Sequence, residues 1–395
     1  MTTKAVAIAA ISTIGVLCVG AAPARAQQPL QEVLSFLLTN QAVATGDFVK
    51  DAQSAAITRD TITRSLLNEL TTLPLASSSS AFIYRLNPVL GTIDRVSDNF
   101  GPFFTERSLT TGRGNASLGI TLHSASYDTL DGHELRDGSF VTTANQFRDE
   151  PAPFEADTLT LRVDARTVTL LGNVGITDRL DIGAAVPVVA LSLEGLRIST
   201  YRGARFLQAT ATATATGLGD VAVRSKLRLI GQRTAAAALI GELRLPAGRK
   251  QDLLGSGEVS MRTLVSGSYQ PRRFAIDGNV GLAVGGISRE LDYRASASLS
   301  ASQRLTIVGE LLGRRIAHLG VIAEGRAPHP TIAGVDTMRL IATGDEKSTA
   351  ALLAGVKWNA FGAALVNANV SWSLTDRGLR APFIARVGVD FAFVQ

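Results

Sequence analysis

The chain has 395 residues, with 39 Lys and Arg against 34 Asp and Glu, and a formal net charge of +5. A leader over residues 1–26 takes Lys4 and Arg25 with it and leaves +3, interleaved with acids, which excludes a nucleic-acid surface. The single cysteine, Cys18, lies in that leader, so disulfides, thiol catalysis and cysteine-ligated metals are excluded from the mature chain.

In chain order, the leader reads as a secretory signal: Lys4, an apolar stretch from Ala5 to Gly20, and a small-x-small site at Ala24-Arg25-Ala26. Leu17 before Cys18 is too large for a lipoprotein signal. Residues 27–75 are expected to form a helical plug or periplasmic segment. Phe48, Ala52, Ala55, Ile62, Leu66 and Leu70 recur at helical spacing, Asp47 serves as N-cap and Pro74 as stop. Residues 76–114 form a linker with a small hairpin over 82–95, turning through Asn87 to Gly91.

From residue 115 to the end the chain is strand and turn. Runs are predicted near 116–127, 158–170, 180–194, 218–230, 235–246, 257–269, 274–285, 291–301, 304–315, 335–343, 349–358, 361–374 and 381–393. Along Val221 to Leu229, Val221, Val223, Leu227 and Leu229 share one face and Arg224, Lys226 and Arg228 the other. Many runs exceed the usual soluble strand and follow one another through short turns. The expected fold is therefore all-β, a transmembrane antiparallel barrel of about 12–14 strands. Thirteen is an odd count, so either one run lies outside the ring or the 82–95 hairpin joins it. The Ala-Thr repeat at 209–216 reads as a loop edge or strand extension. Tyr269, Phe274, Trp358 and Phe361 flank turns, as an interfacial belt requires, although aromatics make up only 6% of the chain, thin for two rims.

With the apolar faces toward lipid, the lumen-lining candidates are Arg162, Asp164 and Arg166, then Arg224, Lys226 and Arg228, Glu242 and Arg244, Glu258 and Arg262, Asp277, Asp292 and Arg294, and Glu310. They form either a selective constriction or a structural ladder of ion pairs. Gly278, Gly281, Gly285 and Gly286 mark either a lateral gap or relieved strain at barrel corners.

Several motifs occur in order. Phe100-Gly101-Pro102-Phe103-Phe104-Thr105-Glu106-Arg107 is followed by Thr110-Thr111-Gly112-Arg113-Gly114. Then come Gly175 to Gly183 with Val186-Pro187, Gly217-Leu218-Gly219-Asp220, and Leu243 to Gly248 with Leu254-Gly255-Ser256-Gly257. Together they resemble the outer-membrane proteins of the MetA-pathway-of-phenol-degradation family, transporter-like β-barrels, over about residue 80 to the end. The resemblance implies passage of small, aromatic or hydrophobic, solutes and carries no catalytic residues. One departure is the C-terminus: Val387, Val389, Phe391 and Phe393 alternate, but Val394-Gln395 follow where the family tends to end on an aromatic residue.

Enzymatic signatures are lacking: no Gly-x-Ser-x-Gly elbow, no phosphate or dinucleotide loop and no metal-ligand spacing. By parity His123 faces the lumen while Ser124 faces away. The acids of 128–157 (Asp128, Asp131, Glu134, Asp137, Asp149 and Glu150) lack the twelve-residue calcium pattern. No catalytic residue, cofactor or metal is expected. The expected place is the outer membrane of a Gram-negative-type bacterium after leader cleavage. Outer-membrane lipid, the assembly machinery and a small-molecule solute are its expected partners. Two alternatives stay open: a plugged structural or interaction barrel without transport, and a soluble periplasmic β protein with the faces reversed.

Overall fold

A computed structural model describes residues 28–39, 48–72, 75–78, 84–86, 93–95, 99–232 and 234–393. The leader, Asp47, Pro74, the turn at 87–91 and Val394-Gln395 lie outside the described residues. Two helices come first, α1 (Leu30–Leu38) and α2 (Phe48–Thr71), then a two-stranded hairpin of β1 (Tyr84–Leu86) and β2 (Ile93–Arg95). The strands that follow are β3 (Ala116–Tyr127), the short β4 (Thr129–Leu130) and β5 (His133–Glu134), β6 (Phe140–Phe147), β7 (Glu155–Gly175), β8 (Leu180–Tyr201), β9 (Ala204–Leu218), β10 (Val221–Gly231) and β11 (Ala235–Leu245). The series continues with β12 (Ser260–Tyr269), β13 (Phe274–Gly285), β14 (Arg289–Ser302), β15 (Leu305–Ala317), β16 (Val321–Pro328), β17 (Val335–Thr343), β18 (Glu346–Phe361), β19 (Ala364–Ser373), β20 (Leu379–Arg380) and β21 (Ile384–Phe393).

Twelve of these close into an antiparallel ring, in the order β3-β7-β8-β10-β11-β12-β13-β14-β15-β18-β19-β21 and back to β3. The even number is what closure of a single chain by hairpins demands. One of the thirteen predicted runs, 335–343, is a strand as expected but stands outside the ring, paired with β16 and β6. The hairpin of β1 and β2 is a separate sheet and adds nothing to the count.

Tight turns after β7, β10, β12, β14 and β18 share one end of the barrel with Ala116 and Phe393. The longer connections leave the opposite end, although β8 and β9 are joined there by only Arg202-Gly203, both at positive φ. The stretch 195–217, between the predicted runs 180–194 and 218–230, is thus strand on both sides of that turn.

The outward positions of the ring form an apolar belt. On β13, Phe274, Ile276, Val280, Leu282 and Val284 are exposed, while Ala275, Asp277, Asn279 and Ala283 are buried. Ten residues at about 3.3 Å rise and roughly 40° tilt cover about 25 Å, the height of a bilayer's apolar band. Exposed Tyr269, Phe274, Trp358, Phe361, Phe391 and Phe393 gather at the short-turn rim, and Tyr293 and Trp372 toward the other. Pairing of β13 with β12 and with β14 runs without a register shift, so the glycines open no lateral gap. Gly285 and Gly286, both at positive φ, make the tight turn into β14.

Strands β7 and β8 outgrow the ring and carry a six-stranded extension in the order β16-β17-β6-β7-β8-β9. There the polarity of the two faces inverts while the burial parity stays the same. Leu159, Leu161, Val163 and Ala165 of β7 point inward and pack with Leu191 and Leu193 of β8 and with Leu30, Leu34 and Leu37 of α1. The Ala-Thr repeat belongs to this layer: Ala209, Ala213 and Ala215 are buried in the same core, while Thr210, Thr212, Thr214 and Thr216 are exposed. Alanine's small side chain lets the helix lie close to the sheet. Gly195 is the tightest point, since a Cβ there would fall inside the van der Waals envelope of Leu37 Cδ1. Gly195→Val should therefore destabilise the protein by about 1–3 kcal/mol by overpacking and raise amide exchange across 30–38. Gly309→Ala, with open space around its Cβ, should change neither.

Candidate functional site: a charged lumen filled by the chain's own N-terminal residues

Inside the belt the wall is polar and charged. Arg224, Lys226, Glu242, Arg244, Arg262, Asp277, Asp292, Arg294 and Glu310 are all buried on inward positions, and Arg228 is half-buried near the short-turn rim. They are linked rather than isolated. Arg224 Nη2 donates to Glu242 at 2.7 Å, Arg244 Nε to Glu242 at 2.9 Å, and Arg262 reaches Glu290 at 3.1 Å and Asp292 at 2.8 Å. Arg294 lies 3.3 Å from Asp292. The network continues beyond the lumen-lining candidates: Arg314 to Glu69 (2.5 Å) and Glu290 (3.6 Å), and Lys347 to Glu69 (3.7 Å) and Asp131 (3.5 Å).

Four candidates belong elsewhere. Arg162, Asp164 and Arg166 are at least partly exposed on the outer face of β7, where Arg162 meets Glu194 at 3.7 Å and Asp164 meets Arg136 at 3.3 Å. They share parity with the lipid-facing Val168 and Leu170, but they lie above the belt, where water is outside and α1 inside. Glu258 precedes β12 and is exposed in a loop beside Lys250. Conversely, Glu290, Arg314, Lys347, Lys357, Arg386 and Asp390 are buried or half-buried inward-facing residues that period-two parity on the named strands would have found.

The lumen is not empty. Residues 99–111 thread it without regular secondary structure, bending at 103–105, and meet wall side chains along their length. Glu310 accepts from the backbone N–H groups of Phe103, Phe104 (3.1 Å) and Thr105 (2.9 Å) and from Thr105 Oγ1 (3.0 Å). Glu106 N–H donates to Asn279 Oδ1 (2.6 Å), Ser108 N–H to Ser268 Oγ (2.8 Å) and Thr111 N–H to Asp181 Oδ2 (2.8 Å). Lys357 donates to the Pro102 carbonyl (2.6 Å) and Arg294 to the Phe104 carbonyl (2.9 Å). Glu106 itself sits between Arg224 (2.5 Å) and Lys226 (2.6 Å). Helix α2 closes the long-loop side: Arg244 donates to the Thr71 carbonyl (3.0 Å), Lys347 to Ser65 Oγ (3.0 Å) and Thr58 Oγ1 to the Leu340 carbonyl (3.1 Å). Of the helical segment 27–75, α1 packs against the extension built on β7, β8 and β9, and α2 lies against inward residues at the long-loop end.

The glycine-rich motifs gather at two joints. At the first, Gly114 N–H donates to the Gly175 carbonyl (2.9 Å), and a Cβ on Gly175 would overlap the Gly112 carbonyl. At the second, Gly219 N–H donates to the Pro187 carbonyl (2.8 Å), and Asp220 accepts from Gly248 N–H (3.2 Å) and Ser256 N–H (2.8 Å). Strand β9 gives way to β10 there, so the N–H that Pro187 lacks faces a break in the ladder.

Of the loop acids, Asp131 is buried as an anchor, accepting from Ile322 N–H (3.0 Å) and Gly378 N–H (2.7 Å). Among the described residues no group of three or more His, Cys, Asp or Glu could hold a metal. His123 is half-buried on an inward position of β3, and Ser124 is exposed on the other face.

No family model matches the chain, and no curated protein matches it in sequence. Among solved structures, it is similar to the COG4313 outer membrane channel from Pseudomonas putida, at TM-score 0.44 and 12% identity over 71% of this chain and 96% of that one. It is also similar to KdgM porin, solved with disordered oligogalacturonate (0.37, 9%, 70% and 99%), and to NanC porin (0.37, 7%, 69% and 98%).

Burial alone would raise the Glu106 carboxyl, but Lys226 and Arg224 bring it from its ordinary 4.5 down to about 2. A carboxylate lowered on folding contributes stability above its unfolded value and loses it as pH falls toward the folded one. The lumen segment should therefore loosen between about pH 4.5 and 2, read as rising amide exchange over 103–108 after correction for intrinsic rates. Glu106→Gln should weaken protection already at neutral pH, by about 3–5 kcal/mol, because Arg224 and Lys226 lose their shared charge partner.

Proposed function

We propose that the protein is an outer-membrane channel for small solutes, held shut by its own N-terminal segment. The observation that carries this reading is the lumen filling: residues 99–111 and α2, not wall side chains alone, occupy the barrel. Twelve strands enclose more than the eight-stranded forms that side chains fill and less than the open sixteen-stranded porins. A barrel of that width needs a stopper to be closed, and a stopper that is not part of the wall can yield. The motifs that resemble the phenol-degradation family are consistent with a hydrophobic or aromatic solute. Leader cleavage, a Gram-negative-type host and recognition of the alternating C-terminal strand by the assembly machinery complete the reading.

A second reading has its own support. The ion-pair chain from Lys226 to Asp131 joins wall and plug through buried partners, as a permanently sealed barrel would have it. Planar-bilayer conductance separates the two. Under the channel reading the intact protein shows small or rare openings, and deletion of residues 27–75 or Glu310→Gln raises conductance several-fold. Unboiled protein should run faster than boiled protein in SDS, showing that each variant barrel is folded. Folded variants as silent as the intact protein would support the sealed reading.

A further inference from the structure

Most buried cations of the lumen have a carboxylate partner; Arg386 does not. It is only 8% exposed, its Nη1 donates to Ser371 Oγ at 2.8 Å, and its guanidinium lies 5.0 Å from the ring centre of Phe104. Among the described residues no acid forms an ion pair with it. The acids near it are committed elsewhere: Glu310 to the N–H groups of Phe103 to Thr105, Asp292 to Arg262 and Arg294, and Glu69 to Arg314 and Lys347. Isolating a guanidinium from water without a counter-charge is costly, so the arrangement is incomplete as it stands.

Arg386 also lines two lumen cavities, of about 140 Å³ and 70 Å³. The larger is bounded by Leu312, Ala351, Leu379, Ala381 and Ile384 and by five arginines against two acids, Glu69 and Asp292. Arg377 is exposed and Arg380 half-buried, placing positive charge on the approach from the long-loop end. A guanidinium presents a planar fork that fits a carboxylate. A cavity of roughly 150 Å³ accommodates a benzene-sized body.

Resting on the channel reading, we propose that Arg386 is the anchor of a binding site for small organic monocarboxylates, with the carboxylate on the guanidinium and the apolar body against Leu312, Ala351 and Ile384. The test is equilibrium binding of benzoate to the full mature protein in detergent, with benzyl alcohol as the neutral counterpart. Benzoate should bind saturably and benzyl alcohol much more weakly. Arg386→Gln should weaken benzoate by about tenfold or more, as loss of a charge-assisted pair implies, with Arg386→Lys in between. Ala351→Phe, which fills the cavity and keeps Arg386, should exclude benzoate, and it decides the matter if Arg386→Gln does not fold. No saturable benzoate binding, equal binding of benzyl alcohol, or folded variants that bind like the parent would overturn the site. Because the readout is binding and not current, a silent bilayer with intact benzoate binding would reject the channel and keep the site, and the reverse result would do the opposite.

Discussion

The structure turns on one constraint: a twelve-stranded ring encloses an interior that is too wide for wall side chains to fill and too dry for its charges to stand alone. Each inward carboxylate and cation needs a partner, and much of the partnership comes from outside the strands. Glu310 collects the amides of Phe103 to Thr105, Lys357 holds the Pro102 carbonyl, and Glu106 joins Arg224 to Lys226. Plug and lumen chemistry are therefore one system. Removing either leaves buried polar groups unpaired or lets in water to solvate them.

The same strands obey opposite rules at different heights. In the belt, lipid takes the apolar face of β7 at Val168 and Leu170, and the interior is polar at Thr167 and Asn173. A few residues higher, water takes the outside and α1 the inside, so Leu161 and Val163 turn inward to a core while Arg162 and Asp164 face solvent. Parity never changes along the strand. What changes is the medium on each side, and the composition of each face follows it. Gly195 and the alanines of β9 mark where helix and sheet come into contact.

The glycine-rich motifs are explained by backbone proximity. Gly112 and Gly175 meet where the lumen segment turns into β3, and Pro187, Gly219, Gly248 and Gly255 meet where β9 breaks into β10. Their side-chain hydrogens leave room for carbonyls and carboxylates that any larger residue would displace. These are joints of the scaffold that set the shape of the lumen, and at the second of them Pro187 and Gly219 also line the smaller cavity beside Arg386.

By itself, the sequence determined the strands, their two faces and the β class, because period-two alternation is a local property of the extended backbone. It placed β13 over 274–285 and β17 over 335–343 as they stand in the structure, and identified Arg224, Lys226 and Glu242 as charges on one face. It also contained the correction for Arg162, since that residue shares parity with Val168. Charge alone does not mark the lumen, because a charged residue is equally at home on a solvated outer face. Only the tertiary structure decided that β17 lies outside the ring, that Glu106 stands between Arg224 and Lys226, and that Arg386 lines two cavities with no ion-pair partner among the described residues. Those facts depend on contacts between residues more than a hundred positions apart. The segment 99–111 has no periodicity from which they could be read, because an irregular plug takes its pattern from the wall around it.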